Sequence, residues 1–315
     1  MYVFGPVPSR RLGYSLGINH IPPKHCSYSC VYCQLGRTTN CSIHRENFYP
    51  VEEILAQVRQ ALAESASQGH EVDYLSLVPD GEPALDLNLG DLIRELKTFR
   101  IPVAVISNSS LLTLETVQEA LLQADWLSLK VDTVIPQDWT KMDRPHRKLD
   151  LKFILGAILE FRQKYTGILV TETMLISGMN DHEESIQRLS SFLHDLQPLC
   201  AYISIPIRPP AESWVKPPPP EVLNSILRQL LRVNPFIIPL FEHEGTDFVS
   251  SGDNRENILS ITAVHPIRET ALQKLIQKSG AAWEVVDCLL EQQELIKTPY
   301  GGEIFYRKNL QKKIC

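Results

Sequence analysis

Three cysteines stand within eight residues, Cys26-Ser-Tyr-Ser-Cys30-Val-Tyr-Cys33. Thiolates are soft ligands that suit iron–sulfur clusters, zinc or copper(I). A disulfide framework pairs its cysteines, and a closed structural zinc site takes four ligands, so a group of three raises the question of the fourth position. Cys41, His44 or His25 would have to complete a zinc site. Zinc motifs come as paired units, however, and no second pair is present. Unrelated buried cysteines are a poor account of such density. A cube of four irons asks for one ligand per iron. Three thiolates on one loop serve three irons and leave the fourth open, as a catalytic metal site keeps a position for what it binds.

Elements must place that loop. Apolar residues recur at helical spacing over 51–66 (Val51, Ile54, Leu55, Val58, Leu62), with Pro50 just before. Short apolar runs at 73–78, 101–107, 126–131, 167–176 and 202–206 read as strands, and stretches at 87–99, 114–124, 151–165 and 221–233 read as helices. Asn180 or Asp181 is placed to cap a further helix. Strand and helix alternating with short connections imply a parallel sheet covered by helices, with ligands at the carboxyl ends of the strands. Residues 207–220 hold six prolines and predict an extended strap. Residues 234–257, including Glu242–Phe248, look irregular. Beyond a boundary near 253–258, helices are expected at 266–278 and 282–293, then a hairpin at 295–307 around Gly301-Gly302. Two helices and a hairpin suggest a small winged-helix-like module, giving domains of 1–252 and 253–315.

The spacing Cys26-x3-Cys30-x2-Cys33, with Tyr32 before the last cysteine, resembles the signature of the radical S-adenosylmethionine (radical SAM) superfamily. The resemblance implies an α/β fold, a partial (β/α)6 TIM-like barrel, and a 4Fe-4S cluster on Cys26, Cys30 and Cys33. It also implies that S-adenosylmethionine fills the open iron through its amino and carboxylate groups. An electron from an external donor then cleaves a C–S bond to give a 5′-deoxyadenosyl radical, which abstracts a hydrogen from substrate. Gly81-Glu82-Pro83 after the 73–78 strand resembles the family's Gly-Gly-Glu-Pro segment, which holds the methionyl ammonium, with Asp80 in place of the first glycine. Pro-Asp-Gly is also a good turn sequence in its own right. By the same likeness Tyr32, Asn108, Ser109, Lys130, Asp132 and Glu172 are expected around the cofactor. Asn108 and Ser109 also read as a helix entry, and Lys130 with Asp132 as an ion pair. Residues 8–19, 78–83 and 128–132 look like a subgroup broadly related to wyosine-base synthases and, more distantly, to molybdenum-cofactor enzymes. No second cysteine triplet accompanies the first. Cys41, Tyr14 and Tyr28 are candidates, by chemistry alone, for quenching a substrate radical.

The net charge of −6 argues against broad nucleic-acid binding through phosphate neutralisation, but leaves room for a local basic groove at Arg10-Arg11 or Arg144-Pro-His146-Arg147-Lys148. The second helix of the C-terminal pair carries Glu284, Asp287 and Glu291 without Lys or Arg, which disfavours duplex DNA. Basic residues gather instead at Lys297, Arg307, Lys308, Lys312 and Lys313. No apolar run is long enough to span a bilayer and the first residues lack a signal-peptide core, so a cytoplasmic enzyme is expected. The sequence reads best as a radical SAM enzyme acting on RNA or a polypeptide. A small-metabolite enzyme and a non-enzymatic metal-binding regulator are the alternatives.

Overall fold

Two strands precede the cysteines, β1 (Val3–Ser9) and β2 (Gly13–Ile18), paired antiparallel. They are not apparent in the sequence because Gly5, Pro6, Pro8, Gly13 and Gly17 interrupt any apolar alternation. A computed structural model describes residues 2–241, 253–264 and 266–309. The cysteine loop lies between the short parallel strands β3 (His25–Cys26) and β4 (Asn40–Cys41). There follow α1 (Val51–Ser67), β5 (Tyr74–Leu77), α2 (Leu89–Leu96), β6 (Val103–Ser107), α3 (Glu115–Leu121) and β7 (Trp126–Lys130). Then come α4 (Pro136–Met142), α5 (Leu151–Lys164), β8 (Ile168–Met174), α6 (Glu183–Leu196), β9 (Cys200–Ser204), α7 (Pro220–Val233) and β10 (Ile237–Leu240).

The main sheet has the order β1-β2-β5-β6-β7-β8-β9-β10, parallel from β2 onward. This is the expected α/β partial barrel. β2 and β5 to β9 supply six parallel strands, β10 adds a seventh, and β1 forms an antiparallel edge. β10 tolerates Pro239 because it pairs on one side only. Alternation along each strand divides the side chains. Leu75, Leu77, Val103, Val105, Leu127 and Leu129 face the helices and build the large core with Ile54, Leu92, Ile158 and Leu193. Ala104, Trp126, Val170 and Tyr202 point inward, where Leu12 from the β1–β2 turn packs among them. In the same turn Arg10 Nη1 donates to the carbonyl of Leu240 at 3.1 Å, tying the first hairpin to the last strand.

A second core belongs to the C-terminal residues. It is built by α8 (Asn254–Val264), β11 (Ile267–Arg268), α9 (Glu269–Lys278), α10 (Glu284–Glu291), β12 (Leu295–Tyr300) and β13 (Glu303–Lys308). Ile258, Ile261, Leu272, Leu275, Val286, Leu289 and Tyr306 fill it, with Val7 of β1 packed against its edge. The hairpin turns at Gly301 and Gly302, whose φ of 57° and 83° are open to glycine at no steric cost. Tyr300 Oη donates to the carbonyl of Pro206 at 2.9 Å, joining this unit to the start of the strap.

Several expected boundaries shift. The helix expected from 266 begins at Glu269 because Ile267 and Arg268 pair with β13. The helix expected over 282–293 is the shorter α10. The irregular stretch 234–257 contains β10 and the start of α8, while Glu242–Phe248 lies outside the described residues. The cap of α6 is neither Asn180 nor Asp181 but His182, whose Nδ1 accepts from the amide of Ser185 at 3.2 Å. Asp181 instead accepts from Gly178 N at 2.8 Å, closing the preceding turn.

Leu272 is fully buried in the second core. Leu272→Ala is expected to remove about 2–5 kcal/mol from that unit. Amide exchange should then accelerate over 254–308, while β5 to β8 keep their protection. Equal acceleration in both regions would show that the two cores unfold as one.

Candidate active site

The site is built by strand ends converging on one loop. The carbonyl of His25 sits so close to Gly81 that a Cβ at position 81 would lie 1.8 Å from its oxygen. Only glycine admits that approach. The next amide, Glu82 N, donates to the same carbonyl at 3.0 Å. On the other side, residues 142–146 run antiparallel to 27–31. Val31 N donates to Met142 O at 2.8 Å, Ser29 N to Arg144 O at 3.2 Å, and His146 N to Ser27 O at 2.8 Å. The cysteine loop, with almost no regular structure of its own, is thus gripped between the β5 turn and the segment after α4.

Glu82 is buried and acts as a staple. Its Oε1 accepts from Ala84 N at 3.0 Å and Ser107 Oγ at 2.7 Å, and its Oε2 accepts from Asn108 N at 2.7 Å. A carboxylate has about four acceptor positions, so one remains for a ligand ammonium. Burial pushes Glu82 up to about 7 against the pull of those three donors. Asn108 in turn donates from Nδ2 to Ser27 Oγ at 2.8 Å and lies 3.6 Å from Cys26 Sγ. Lys24 Nζ lies 3.4 Å from Cys33 Sγ and donates to Gly36 O at 2.5 Å. N–H donors aimed at two of the three sulfurs suit thiolates carrying charge. Burial, then Glu82, pushes the metal-free Cys26 thiol up to about 12, and burial raises Cys30 well above its usual range. A bound metal ion deprotonates a coordinating thiol, so the cluster itself would bring these sulfurs to the thiolate form.

Cys26, Cys30 and Cys33 line one cavity of about 310 Å³. Among the described residues, no three His, Cys, Asp or Glu side chains converge as a single-ion site would. Three thiols on one cavity are the number that serves three of a cube's four irons. Tyr32, Gly81, Glu82, Asn108, Lys130 and Glu172 also line the cavity. Pro83, Ser109 and Asp132 do not. Pro83 opens the single helical turn Pro83–Leu85. Ser109 takes φ 68° and donates from Oγ to Lys130 O at 3.2 Å. Asp132 lies behind the wall, where it accepts from Tyr32 Oη and from Met174 N, the latter at 2.7 Å. Of the radical-quenching candidates, Tyr28 lines the cavity, whereas Tyr14 and Cys41 do not.

Other contacts were not apparent in the sequence, which offered Arg11 only as part of a candidate basic groove with Arg10. Arg11 crosses the barrel interior to pair with Glu172, which also faces Lys130 Nζ at 3.7 Å and accepts from Ser204 Oγ at 3.1 Å. Burial lowers Arg11 to about 10, still protonated at neutral pH. Lys130 Nζ lies 4.9 Å from the centre of the Tyr32 ring. Tyr32 Oη also reaches Asp143 at 3.1 Å. Burial, followed by Asp132, lifts Asp143 well above the usual carboxylate range. The proline-rich strap closes the outer side. Glu212 accepts from Arg37 Nε and Nη2, both at 2.9 Å, and from Arg144 Nη1 at 2.5 Å, and its own amide donates to Val31 O at 3.0 Å. The strap thus belongs to the site. Its length and prolines were legible, its partners were not.

Gly81→Ala should displace the His25 carbonyl and with it the cysteine loop. Anaerobically reconstituted protein is expected to hold less than half the iron and sulfide of wild type. Gly156→Ala, a helical position with open space around it, should load fully. Equal loading of both variants would refute this role for Gly81. Asp80 gives a pH test. Burial pushes it up to about 7 from 3.8, although Asn19 Nδ2 donates to it at 2.9 Å. The native state therefore keeps a proton that the unfolded chain loses. The associated stability is complete below 3.8 and is lost as pH rises through about 7. Asp80→Asn should gain on wild type by a few kcal/mol, on the order of 2–4, as pH climbs across that window. Urea midpoints at several pH values would show this, and a difference independent of pH would contradict it.

Comparison with known proteins agrees with the geometry. The sequence model of the radical SAM superfamily matches residues 21–189, more than half of the chain. A UPF0026 protein of Methanocaldococcus jannaschii is 43% identical over 313 residues, 98% of this chain and 97% of that one. A probable dual-specificity RNA methyltransferase of Protochlamydia amoebophila is 27% identical over 192 residues, 58% of this chain and 51% of that one. Among solved structures, a radical SAM methyltransferase from Sphaerobacter thermophilus superposes with a TM-score of 0.54 at 15% identity, over 73% of this chain and 67% of its own. That last likeness speaks for the fold alone. No helix among the described residues is long and apolar enough to cross a membrane. The chain belongs to the radical SAM superfamily, whose members are enzymes that use a 4Fe-4S cluster, S-adenosylmethionine and a reductant.

Proposed function

We propose that this enzyme modifies RNA. The observation that carries the reading is the charge of the cavity. Arg10, Arg11, Lys24, Lys130 and Arg208 line it against Asp80, Glu82 and Glu172, in a chain whose net charge is −6. Basic residues concentrated there favour an anionic substrate, for which phosphate contacts supply affinity. The relative described as an RNA methyltransferase supports the same class.

When bound, the cluster and S-adenosylmethionine supply the 5′-deoxyadenosyl radical. The chain's own groups bind and orient. Cys26, Cys30 and Cys33 hold the cluster. Glu82 offers an acceptor for the methionyl ammonium, and Asn108 and Lys24 direct N–H groups to the sulfurs. Lys130, paired with Asp132 at 3.3 Å and held beside Tyr32 and Glu172, presents a cation for the methionine carboxylate. Ile207 and Arg208 at the start of the strap cover the cavity and restrict water. We read residues 1–252 as the catalytic domain and 253–315 as a winged-helix-like module, a reading supported by the order helix, strand, two helices and a hairpin. Acidic α10 points away from duplex DNA, and Lys297, Arg307 and Lys308 on the hairpin suit RNA.

The test is anaerobic incubation of reconstituted enzyme and reductant with cellular RNA, protein or small-molecule fractions. Formation of 5′-deoxyadenosine should rise about tenfold or more with RNA alone. A rise with protein or metabolites only would overturn the RNA reading. No product at all from enzyme with an intact cluster would overturn the radical chemistry.

A further inference from the structure

The basic run Arg144-Pro-His146-Arg147-Lys148 takes no part in the cavity. It is nevertheless fastened to the cysteine loop. Its backbone bonds to Ser27 and Ser29, and Tyr28 bridges Pro145 in antiparallel fashion. Arg147 and Lys148 are exposed. Arg144, 40% exposed, and Arg37, 70% exposed and four residues after Cys33, join the same surface through their shared partner Glu212. His44 contributes to the same neighbourhood, since it, Arg147 and Lys148 all disfavour a charge on His146. Arg37 and Arg144 therefore clamp one carboxylate, and the exposed Arg147 and Lys148 follow Arg144 in the segment fastened to the loop that carries the cluster thiols. A substrate must present its reacting atom to the cavity, so this face does not suit it. A partner that must come near the cluster without entering the cavity would use this face.

We propose that Arg37, Arg144, Arg147 and Lys148 form the docking surface for the electron donor, a small acidic one-electron carrier protein. In the transfer one electron leaves the reduced carrier and enters the oxidised cluster, and no bond forms or breaks. The positive patch raises the encounter rate with an acidic partner and orients it over the loop. Such steering is worth about 10- to 1,000-fold in association rate at low salt and fades as salt rises. Arg37 and Arg144 also brace the strap through Glu212, whose amide donates to Val31 O between Cys30 and Cys33.

The experiment mixes anaerobic holoenzyme with reduced flavodoxin, a strongly acidic flavin carrier. It follows cluster absorbance by stopped flow and complex affinity by calorimetry, at low and high salt. Arg147→Glu combined with Lys148→Glu alters exposed groups outside the Glu212 clamp. The variant should lose about tenfold or more in second-order rate at low salt, weaken the complex in parallel, and lose most of the salt dependence. Photoreduced deazariboflavin, small and uncharged, should reduce variant and wild type equally fast. Unchanged rate and affinity with flavodoxin would overturn the proposal. Equal slowing with deazariboflavin would overturn it too, by placing the defect in the loop. A variant that keeps the flavodoxin rate but loses affinity for RNA would make the patch a nucleic-acid surface and refute the assignment.

Discussion

The contact between Gly81 and the carbonyl of His25 is the constraint on which the site depends. The loop that carries three thiols to one cavity has almost no regular structure of its own. It must borrow order from its surroundings. The β5 turn supplies that order by coming so close that only a residue without Cβ fits. The staple by Glu82 then binds the β5 turn to the end of β6, and Asn108 carries the connection back to Ser27. The strap and the segment after α4 close the remaining side. Cys26, Cys30 and Cys33 are thus fixed by neighbours that follow different strands of the barrel.

Electrostatics add a second layer. The barrel interior holds Arg11, Lys130 and Glu172 together, and behind Tyr32 stand Asp132 and Asp143, both accepting from its hydroxyl. Isolated, each of these charges would be costly to bury. Grouped, they give a polar wall beside the sulfurs. The two cores divide the labour. The large one positions strand ends, and the small C-terminal one rests on β1 and the base of the strap through Val7 and Tyr300.

Much of this was legible in the sequence. The cysteine spacing, Gly81-Glu82-Pro83 and the polar residues at strand ends pointed to the cofactor chemistry, because ligand type and spacing are local properties. The strands from β5 to β9 were legible as apolar runs. Less legible were β1 and β2, whose prolines and glycines disguise their pairing, and the partner of Arg11, which reaches Glu172 across 161 residues. Ser109 and Asp132 were placed at the cofactor by likeness. They stand behind the wall because the strand end turns there, through φ 68° at Ser109 and through the Asp132 bonds to Tyr32 and Met174. His182 took the capping role expected of Asn180 because Asn180 is occupied with the carbonyls of Asp132 and Met174. Long-range pairings of this kind leave no mark on the local pattern.

The central claim is that three thiolates leave one iron open for S-adenosylmethionine. Electron–nuclear double resonance of the reduced holoenzyme, with S-adenosylmethionine labelled with nitrogen-15 in its amino group, tests it most directly. The account expects a nitrogen-15 coupling to the cluster that vanishes when unlabelled cofactor replaces it. A cluster with four protein ligands and no such coupling would contradict it.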